Sequence, residues 1–183
     1  MINLIYKPTL RGNKVILRPF KTSDIEQISE CLKDYEVIKF TGSDSTFDLE
    51  VVTNWYRTRN EKSDRLDLAI VDILSNEVVG EVVVNEYDEV KHSMNYRILI
   101  GQNGRNRGLG TEATSLLVDY IFENTDLNQL TLGVYAFNQR GKSVYEKVGF
   151  TLESIDKDDL EFEGEKIDLY NMVLTRKSWE ERR

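Results

Sequence analysis

The sequence has a single cysteine, Cys31, and a single histidine, His92, among 183 residues. One cysteine excludes a disulfide within the chain, and these two residues cannot supply the ligands of a usual structural zinc site. Proline is scarce as well, and no repeat, low-complexity tract or linker divides the chain. We therefore expect one domain over residues 1–183, with no metal.

Long hydrophobic runs and an excess of positive charge are also missing. No run approaches membrane-spanning length, and the first residues lack the apolar segment of a secretory signal. The 32 acidic residues outnumber the 24 basic ones, which gives a formal net charge of -8. This sign disfavours nucleic acid and anionic membranes and suits a cationic partner, although surplus acid is also a common solubility feature. The sequence predicts a cytoplasmic protein with no nucleic-acid or membrane partner.

A stretch with the letters RNRGLG occupies residues 105–110, between a strand pattern at 94–100 and a helix pattern at 111–123. Apolar residues spaced by three and four anchor that helix in the core. The first N–H groups of a helix have no partner within it and carry partial positive charge, and here two arginines lie beside them. The stretch therefore predicts a rigid phosphate-binding turn.

Two nucleotide-binding motifs fit this region less well. Residues 108–113 match the dinucleotide fingerprint, but seven residues separate the preceding strand from Gly108 and no acidic residue ends the next strand. Residues 136–143 approach a phosphate-loop pattern, with Ala136 in place of the first glycine. No apolar strand ends in an aspartate that could hold magnesium. A phosphate-loop nucleotidase is kept as an alternative.

The remaining patterns predict a mixed order of strands and helices. Strands are predicted at residues 14–18, 68–73, 78–84, 94–100, 129–135, 150–155 and 166–175. Helices are predicted from residue 23 to about 33, from 49, at 111–123 and at 143–148. Ser23 and Glu26 form a capping-box pattern, Asn138 is a cap for the short helix, and Gly149 ends it. Residues 34–48 are acidic and predicted to be irregular.

This order resembles the GNAT superfamily of acetyl-CoA-dependent N-acetyltransferases, and two of the family's motifs are present. Its loop pattern is Gln or Arg, two residues, Gly, one residue, then Gly or Ala, which is matched at Arg105, Gly108 and Gly110. A second family segment is matched by the letters NQRGKSVYEKVGF at residues 138–150. The similarity covers nearly the whole chain. It is closest to the branch that contains ribosomal-protein N-terminal acetyltransferases and spermidine acetyltransferases.

The resemblance implies an α/β (α+β) fold with a mixed, mostly antiparallel twisted sheet of about seven strands flanked by four helices. In this family the fourth strand splays from the fifth, and the pantetheine arm of acetyl-CoA enters the gap as an extra strand. Acetyl-CoA would be the cosubstrate, with no metal. Members of the branch are often dimers, so the resemblance extends to a homodimer.

The resemblance also assigns site residues. Backbone groups of the fourth strand would pair with the pantetheine arm and stabilise the oxyanion, and the loop N–H groups would bind the pyrophosphate. Tyr145 would give a proton to the thiolate leaving group, because a phenol pKa of about 10 lies near the basicity of an alkyl thiolate. The cofactor-binding set is Ile98, Leu99, Ile100, Arg105, Asn106, Arg107, Gly108, Leu109, Gly110, Thr111, Asn138 and Ser143.

Three questions stay open at this point. The base that deprotonates the acceptor amine is Glu81, Glu86, Glu112 or water alone. The acceptor is a small cationic amine or a protein N-terminus, and acidic residues either line its groove or form a solvated surface. These acids are Glu153, Asp156, Asp158, Asp159, Glu161, Glu163 and Glu165, with Asp34, Glu36, Asp44, Asp48 and Glu50. A non-catalytic acyl-CoA binding module is the other class of function, which the intact Tyr145 disfavours.

Overall fold

The structure is a computed structural model that describes residues 1–43, 46 and 48–183, so the acidic residue Asp44 lies outside the described residues. The strands are β1 Leu10–Arg11, β2 Val15–Arg18, β3 Leu66–Asp72, β4 Val78–Asp88, β5 Ser93–Ile100, β6 Gln129–Tyr135, β7 Thr151–Phe162 and β8 Glu165–Thr175. They form one sheet in the order β1-β2-β3-β4-β5-β6-β8-β7. Every neighbouring pair is antiparallel except β5 and β6, which run parallel. The predicted fold class is confirmed.

The α-helices are α1 Ile25–Lys33, α2 Tyr35–Thr41, α3 Leu49–Thr58, α4 Leu109–Asn124, α5 Gln139–Val148 and α6 Arg176–Glu181. The described residues thus hold eight strands and six α-helices, where about seven and four were expected. The extra strand, β1, is two residues long, and α2 and α6 are the unpredicted helices. Within the described ranges, no helix combines the length and the apolarity that crossing a membrane requires.

The two faces of the sheet are covered by different helices. On one face, Leu117 and Ile121 of α4 are fully buried in a cluster that includes Tyr96 of β5. On the other face, Ile28 of α1 and Leu99 of β5 belong to a second cluster. Side chains alternate along a strand, so β5 contributes to both faces. The sheet therefore separates an α4 face from an α1–α3 face.

The prediction that residues 34–48 are irregular is wrong for α2. The carboxylate of Asp34 accepts a hydrogen bond from the N–H of Val37 at 3.1 Å and so caps the helix, which ends at Gly42. The sequence prediction missed this cap because the segment is short and acidic. A helix of this length depends on its cap and its packing rather than on propensity.

The predicted Ser23–Glu26 capping box is also wrong. Instead, a turn of 3-10 helix precedes α1, and the carboxylate of Asp24 accepts the N–H of Lys21 at 2.7 Å. Arg18 pairs with the same carboxylate at 2.7 Å. Burial opposes ionisation of Asp24, but the bonds from Arg18 and from the N–H of Lys21 together outweigh it and hold the pKa of Asp24 below its ordinary value. The buried ion pair therefore fixes the start of α1.

The hairpin of β7 and β8 is longer than predicted. The first of these strands was expected to stop at residue 155 but continues to Phe162, and Glu163 and Gly164 form the expected turn. Most side chains of β7 are exposed, and this strand is also the edge of the sheet. Charged side chains on an edge strand discourage pairing with other chains. The acidic run is therefore compatible with a strand, although its composition resembles a loop.

Candidate active site

The sheet opens between its two central parallel strands. The pairing of β5 with β6 covers Ser93 to Asn95 and Gln129 to Thr131 only. Beyond these residues β5 stays paired with β4 as far as Ile100, while β6 stays paired with β8 as far as Tyr135. The predicted splay between these strands is therefore present, and one backbone edge of β5 faces a gap.

A cavity of about 620 Å³ occupies this gap. It reaches from the turn before α4 to the body of α5 and is closed on one side by α2. Twelve of the predicted site residues line it: Ile98, Leu99, Ile100, Arg105, Asn106, Gly108, Leu109, Gly110, Thr111, Asn138, Ser143 and Tyr145. The predicted residues that are scattered over almost fifty positions of sequence thus meet around one space.

The backbone of β5 presents hydrogen-bonding groups to the gap at every second residue. The N–H of Gly101 donates to the carbonyl of Val79 on the β4 side at 2.8 Å. Because backbone groups alternate along a strand, those of Leu99 also point to β4, whereas those of Ile98 and Ile100 point into the gap. Of the three predicted strand residues, Ile98 and Ile100 are the ones placed to bind a ligand through the main chain.

The turn before α4 has the geometry of an anion site. Gly108 is the N-cap with a φ of 77°, in the left-handed region that glycine adopts without strain. The first helical bond runs from the N–H of Glu112 to the carbonyl of Gly108 at 3.2 Å. The N–H groups of Leu109, Gly110 and Thr111 therefore precede the helical ladder, and no side chain among the described residues caps this end of α4.

The arginines of the turn do not both face the cavity. Arg107 lies outside the cavity lining, pairs with Asp72 at 2.8 Å and donates to the carbonyl of Asn103 at 2.6 Å. The Arg107 bond lowers the pKa of Asp72. Lys14 donates to the carbonyl of Arg107 at 2.9 Å, which brings an unpredicted ammonium group beside the turn. Arg107 thus stabilises the turn through contacts outside the cavity.

Arg105 lines the cavity but is held by the N-terminal end of α2. Its guanidinium is hydrogen-bonded to Asp34 and lies 3.3 Å from Glu36. Arg140 of α5, another cavity residue, is also hydrogen-bonded to Glu36. Burial works against ionisation of Asp34, yet the bonds from Arg105 and from the N–H of Val37 together keep the pKa of Asp34 below its ordinary value. These ion pairs connect α2, α5 and the turn at residues 105–110, here called the anion turn, around the cavity.

Glu112 ties the start of α4 to the edge of the sheet. Its carboxylate accepts the N–H groups of Asn13, Lys14 and Val15 at 2.8, 2.7 and 2.8 Å. A carboxylate that already accepts three backbone N–H groups has little acceptor capacity left. Of the three candidate bases, Glu112 is thus engaged in holding the fold.

Replacement of Glu112 by alanine is expected to lower the free energy of unfolding by about 2 kcal/mol, because charge-assisted bonds to three backbone donors are lost. Two of these donors are exposed and can turn to water, which limits the cost. Glu123→Ala on the same helix is the control, since Glu123 makes an exposed ion pair with Arg183 worth at most about 1 kcal/mol. Urea unfolding with an unchanged m-value measures both. Equal midpoints for the two variants would contradict the assignment.

Tyr145 lies at the inner end of the cavity on the α4 face. It is 6% exposed, and its ring meets the rings of Tyr96 and Phe150 edge-on, with centroids 6.3 and 6.1 Å apart. The helix that carries it is capped by Asn138, which accepts the N–H of Gly141 at 2.9 Å. Burial raises the pKa of Tyr145, so the phenol keeps its proton at neutral pH. Packing and the cap fix the position of this hydroxyl.

Glu81 lies on the α1–α3 face, level with Leu99 in the register of β4 and β5. It is 5% exposed and hydrogen-bonded to the hydroxyl of Tyr56. Burial raises the pKa of Glu81 to about 7, although the nearby charge of Arg97 acts in the opposite direction. Glu86, the remaining candidate base, is exposed beyond Asn85, toward the other end of β5 from Ile100.

Two residues of the acidic hairpin reach the rim of the cavity. Asp159 faces the hydroxyl of Tyr135, a cavity residue, and contributes to the raised pKa of that phenol after burial. Glu163 accepts a hydrogen bond from Tyr35 of α2 at 3.0 Å. Phe162 lies beside these contacts, with its ring centroid 6.3 Å from that of Tyr35. The tip of the hairpin therefore borders the cavity, while most of β7 is exposed surface.

Several cavity residues were not predicted. Arg97 was interpreted as the polar half of an alternating strand, and Val37 and Phe40 fell in the segment predicted as irregular. Arg140 stood inside the recognised family segment without an assigned role. The charge of Arg97 within a central strand was a signal that could have drawn attention to it. The alternation pattern alone, however, does not show whether such a side chain faces a groove or bulk solvent.

Lys142, the lysine of the phosphate-loop alternative, pairs with Glu146 along α5 at 3.3 Å. It does not line the cavity. Among the residues that the structure describes, no group of three or more histidine, cysteine, aspartate or glutamate side chains is arranged to hold a metal ion.

The chain belongs to the GNAT family, because the model of the acetyltransferase (GNAT) domain matches residues 14–151. It is therefore an acyltransferase of the N-acetyltransferase class, and acetyl-CoA is the cosubstrate of this family. The resemblance recognised from the loop and from the segment at residues 138–150 is confirmed.

Named relatives agree with the predicted branch. A putative ribosomal N-acetyltransferase, YdaF of Bacillus subtilis (strain 168), is 23% identical over 139 residues, which cover 76% of this chain and 74% of the relative. Spermidine N(1)-acetyltransferase of Escherichia coli (strain K12) is 25% identical over 143 residues, which cover 78% and 75%. The chain thus aligns with about three quarters of each relative.

Solved structures agree with the fold. Spermidine N-acetyltransferase from Vibrio cholerae in complex with CoA and spermine matches with a TM-score of 0.83 and 17% identity, over 92% of this chain and 99% of that one. An acetyltransferase (GNAT family) from Bacillus anthracis matches with a TM-score of 0.80 and 21% identity, over 93% and 99%. At these identities the likeness concerns the fold alone.

Proposed function

We propose that this enzyme moves the acetyl group of acetyl-CoA to a primary amine by direct attack in a ternary complex. The observation that carries the proposal is the break between β5 and β6, which opens onto a cavity running from the anion turn to Tyr145. Such a site has a polar turn at one end, a free strand edge along its length and a buried phenol at the other end. Each part matches one requirement of acyl transfer from a thioester.

In the proposed complex the main chain does most of the binding. The N–H groups of Leu109, Gly110 and Thr111 hold the pyrophosphate at the N-terminus of α4. The backbone groups of Ile98 and Ile100 pair with the pantetheine arm as an added strand, and an N–H of β5 stabilises the oxyanion. Asn138 and Ser143 contact the arm from α5.

The two faces of the sheet separate the two proton transfers. Tyr145 lies on the α4 face, and Glu81 lies on the α1–α3 face near Leu99. In our proposal the amine approaches from the α1–α3 face while the thiolate leaves toward Tyr145. An arrangement with donor and acceptor on opposite sides of the carbonyl suits direct attack, because neither group has to serve both protons.

The proposed transfer exchanges one bond for another and moves two protons. The amine nitrogen forms a bond to the acetyl carbon, and the C–S bond of the thioester breaks. The leaving sulfur takes the hydroxyl proton of Tyr145, and the nitrogen releases a proton to Glu81, directly or through a water molecule. Solvent then restores both side chains. We assign the base to Glu81 because Glu112 is engaged by three backbone donors and Glu86 lies toward the other end of β5.

We propose an acceptor with a positively charged ammonium group, either a small amine or a protein N-terminus. Asp159 and Glu163 at the rim supply negative charge on its path, and two relatives are named for spermidine and for ribosomal acetylation. A thiol-release screen with acetyl-CoA against polyamines, amino sugars, amino acids and peptides with free N-termini tests the reaction. Release of CoA with none of them would contradict the proposed transfer.

Replacement of Gly108 by alanine is expected to weaken acetyl-CoA binding roughly tenfold, because alanine disfavours a φ of 77° and shifts the N–H groups of the turn. Gly164→Ala is the matched control, since Gly164 has a φ of 83° in the hairpin turn and open space around it. Both variants should lose a similar amount of stability. Calorimetry with acetyl-CoA measures the affinities. An unchanged affinity in Gly108→Ala would remove the pyrophosphate from this turn.

A further inference from the structure

Arg97 occupies an unusual place for a charged side chain. It lies in the middle of β5, a central strand of the sheet, and alternates with Tyr96 and Ile98, which pack on the α4 face. Its side chain therefore belongs to the α1–α3 face. Val83, its cross-strand partner on β4, is buried, and so is Leu99, the next residue of β5 on the same face. Arg97 itself is exposed and lines the cavity.

The other two arginines of the cavity are neutralised by carboxylates. Arg105 is paired with Asp34, and Arg140 is paired with Glu36. The side chain of Arg97, in contrast, makes no hydrogen bond and no ion pair within 4 Å with any of the residues 1–43, 46 and 48–183. The charge of Arg97 acts on Glu81 without a hydrogen bond, and the carboxyl of Glu81 is buried and bonded to Tyr56. A guanidinium that faces an open groove with all its donors free is suited to an anion.

From this geometry we infer that Arg97 binds a carboxylate of the acceptor, so that the preferred acceptor is an amine that also carries a carboxylate, an amino acid or a short peptide. This inference rests on the proposed function, since it places the acceptor on the α1–α3 face. A guanidinium binds a carboxylate through two parallel N–H bonds, which fixes orientation as well as position. The amine of the same molecule is thereby held toward the gap.

The phosphates of the cosubstrate are the competing ligand for Arg97. The anion turn, however, begins beyond the end of β5, and its N–H groups belong to α4, on the other face of the sheet from Arg97. Along the acceptor's path, Asp159 and Glu163 at the rim are negatively charged, whereas Arg97 is positively charged. A zwitterion satisfies both, whereas a polyamine leaves Arg97 facing like charge.

The test compares acceptors that differ only in the carboxylate, L-lysine against L-lysinamide and cadaverine, with acetyl-CoA in the wild type and in Arg97→Gln. Removal of one charge-assisted bidentate contact is expected to lower kcat/KM for L-lysine roughly 10- to 100-fold. Loss of the Arg97 charge also raises the pKa of Glu81, which affects all three acceptors alike. The decisive quantity is therefore the ratio of kcat/KM for L-lysine to kcat/KM for each acceptor without a carboxylate, which should fall by the same roughly 10- to 100-fold, while the KM for acetyl-CoA changes by less than about twofold. Arg57→Gln, an exposed arginine of α3 outside the cavity, is the control for the change in net charge.

Each result decides a different question. A wild type that prefers L-lysine, with the preference abolished only in Arg97→Gln, supports the inference. Equal use of all three acceptors, or a preference that survives in Arg97→Gln, overturns it while leaving acetyl transfer in place. A raised KM for acetyl-CoA in Arg97→Gln overturns it in favour of the cosubstrate phosphates. No CoA release with any amine in the wild type overturns the proposed function as well.

Discussion

Tyr145→Phe is expected to lower kcat at least about 100-fold while the affinity for acetyl-CoA changes by less than about twofold. The substitution removes one oxygen from a buried ring and keeps the contacts of that ring with Tyr96 and Phe150. The lost step is protonation of the departing thiolate, which occurs only in the transition state. Turnover is measured by thiol release and affinity by calorimetry on the same preparations.

The matched control is Tyr120→Phe, which makes the same chemical change at a half-buried position of α4 outside the cavity. It should leave kcat unchanged. Because burial raises the pKa of Tyr145, the wild type should also show no loss of activity from ionisation of this phenol up to about pH 10. If Tyr145→Phe turned over as fast as Tyr120→Phe, the proton donor would have to be sought elsewhere.

Glu81→Gln is expected to lower kcat/KM about 100-fold at pH 8 and to change the pH profile. The raised pKa of about 7 means that Glu81 is protonated, and cannot accept a proton, below that pH. Activity of the wild type should therefore fall as the pH drops through about 7. With an acceptor whose amine has a pKa of about 10, the slope of log(kcat/KM) against pH is expected to be about 2 below pH 7 and about 1 above it.

In Glu81→Gln the slope should stay near 1 throughout, since only the amine of the acceptor still titrates. Glutamine has the size of glutamate and can accept the hydroxyl of Tyr56, so the buried site stays filled. Glu86→Gln is the control and should keep the profile of the wild type, because Glu86 is exposed beyond Asn85. A break near pH 7 that persists without Glu81 would assign the base to another group.

Local patterns predicted the parts of the fold that depend on regular spacing. The strand that ends at Ile100, the helix after Gly110 and the cap at Asn138 are present within one or two residues at most boundaries. Periodicity and capping act between residues that are near in sequence, so they can be recognised without knowledge of the rest. Helix α2 was not predicted from periodicity, because its seven residues are stabilised by a cap and by packing over the cavity.

The candidate site divides in a similar way. The glycine turn and Tyr145 belong to continuous motifs, so the sequence could point to them directly. The roles of Arg107 and Glu112 could not be predicted, since each depends on a partner far along the chain: Asp72 for the first, and the N–H groups of residues 13–15 for the second. Arg97 was visible as a charge in a strand, but only the tertiary structure places that charge beside an open gap.

The sequence by itself determined the family, most of the order of strands and helices, the glycine turn before α4 and the place of Tyr145 in the chain. Each of these depends on the spacing of residues within one short segment, and that spacing can be interpreted without knowledge of the rest of the chain. The tertiary structure alone decided which backbone groups of β5 face the gap, which arginines are already neutralised, and on which face of the sheet Glu81 and Tyr145 lie. These properties arise from contacts between distant segments, and no local pattern fixes which distant segments will meet.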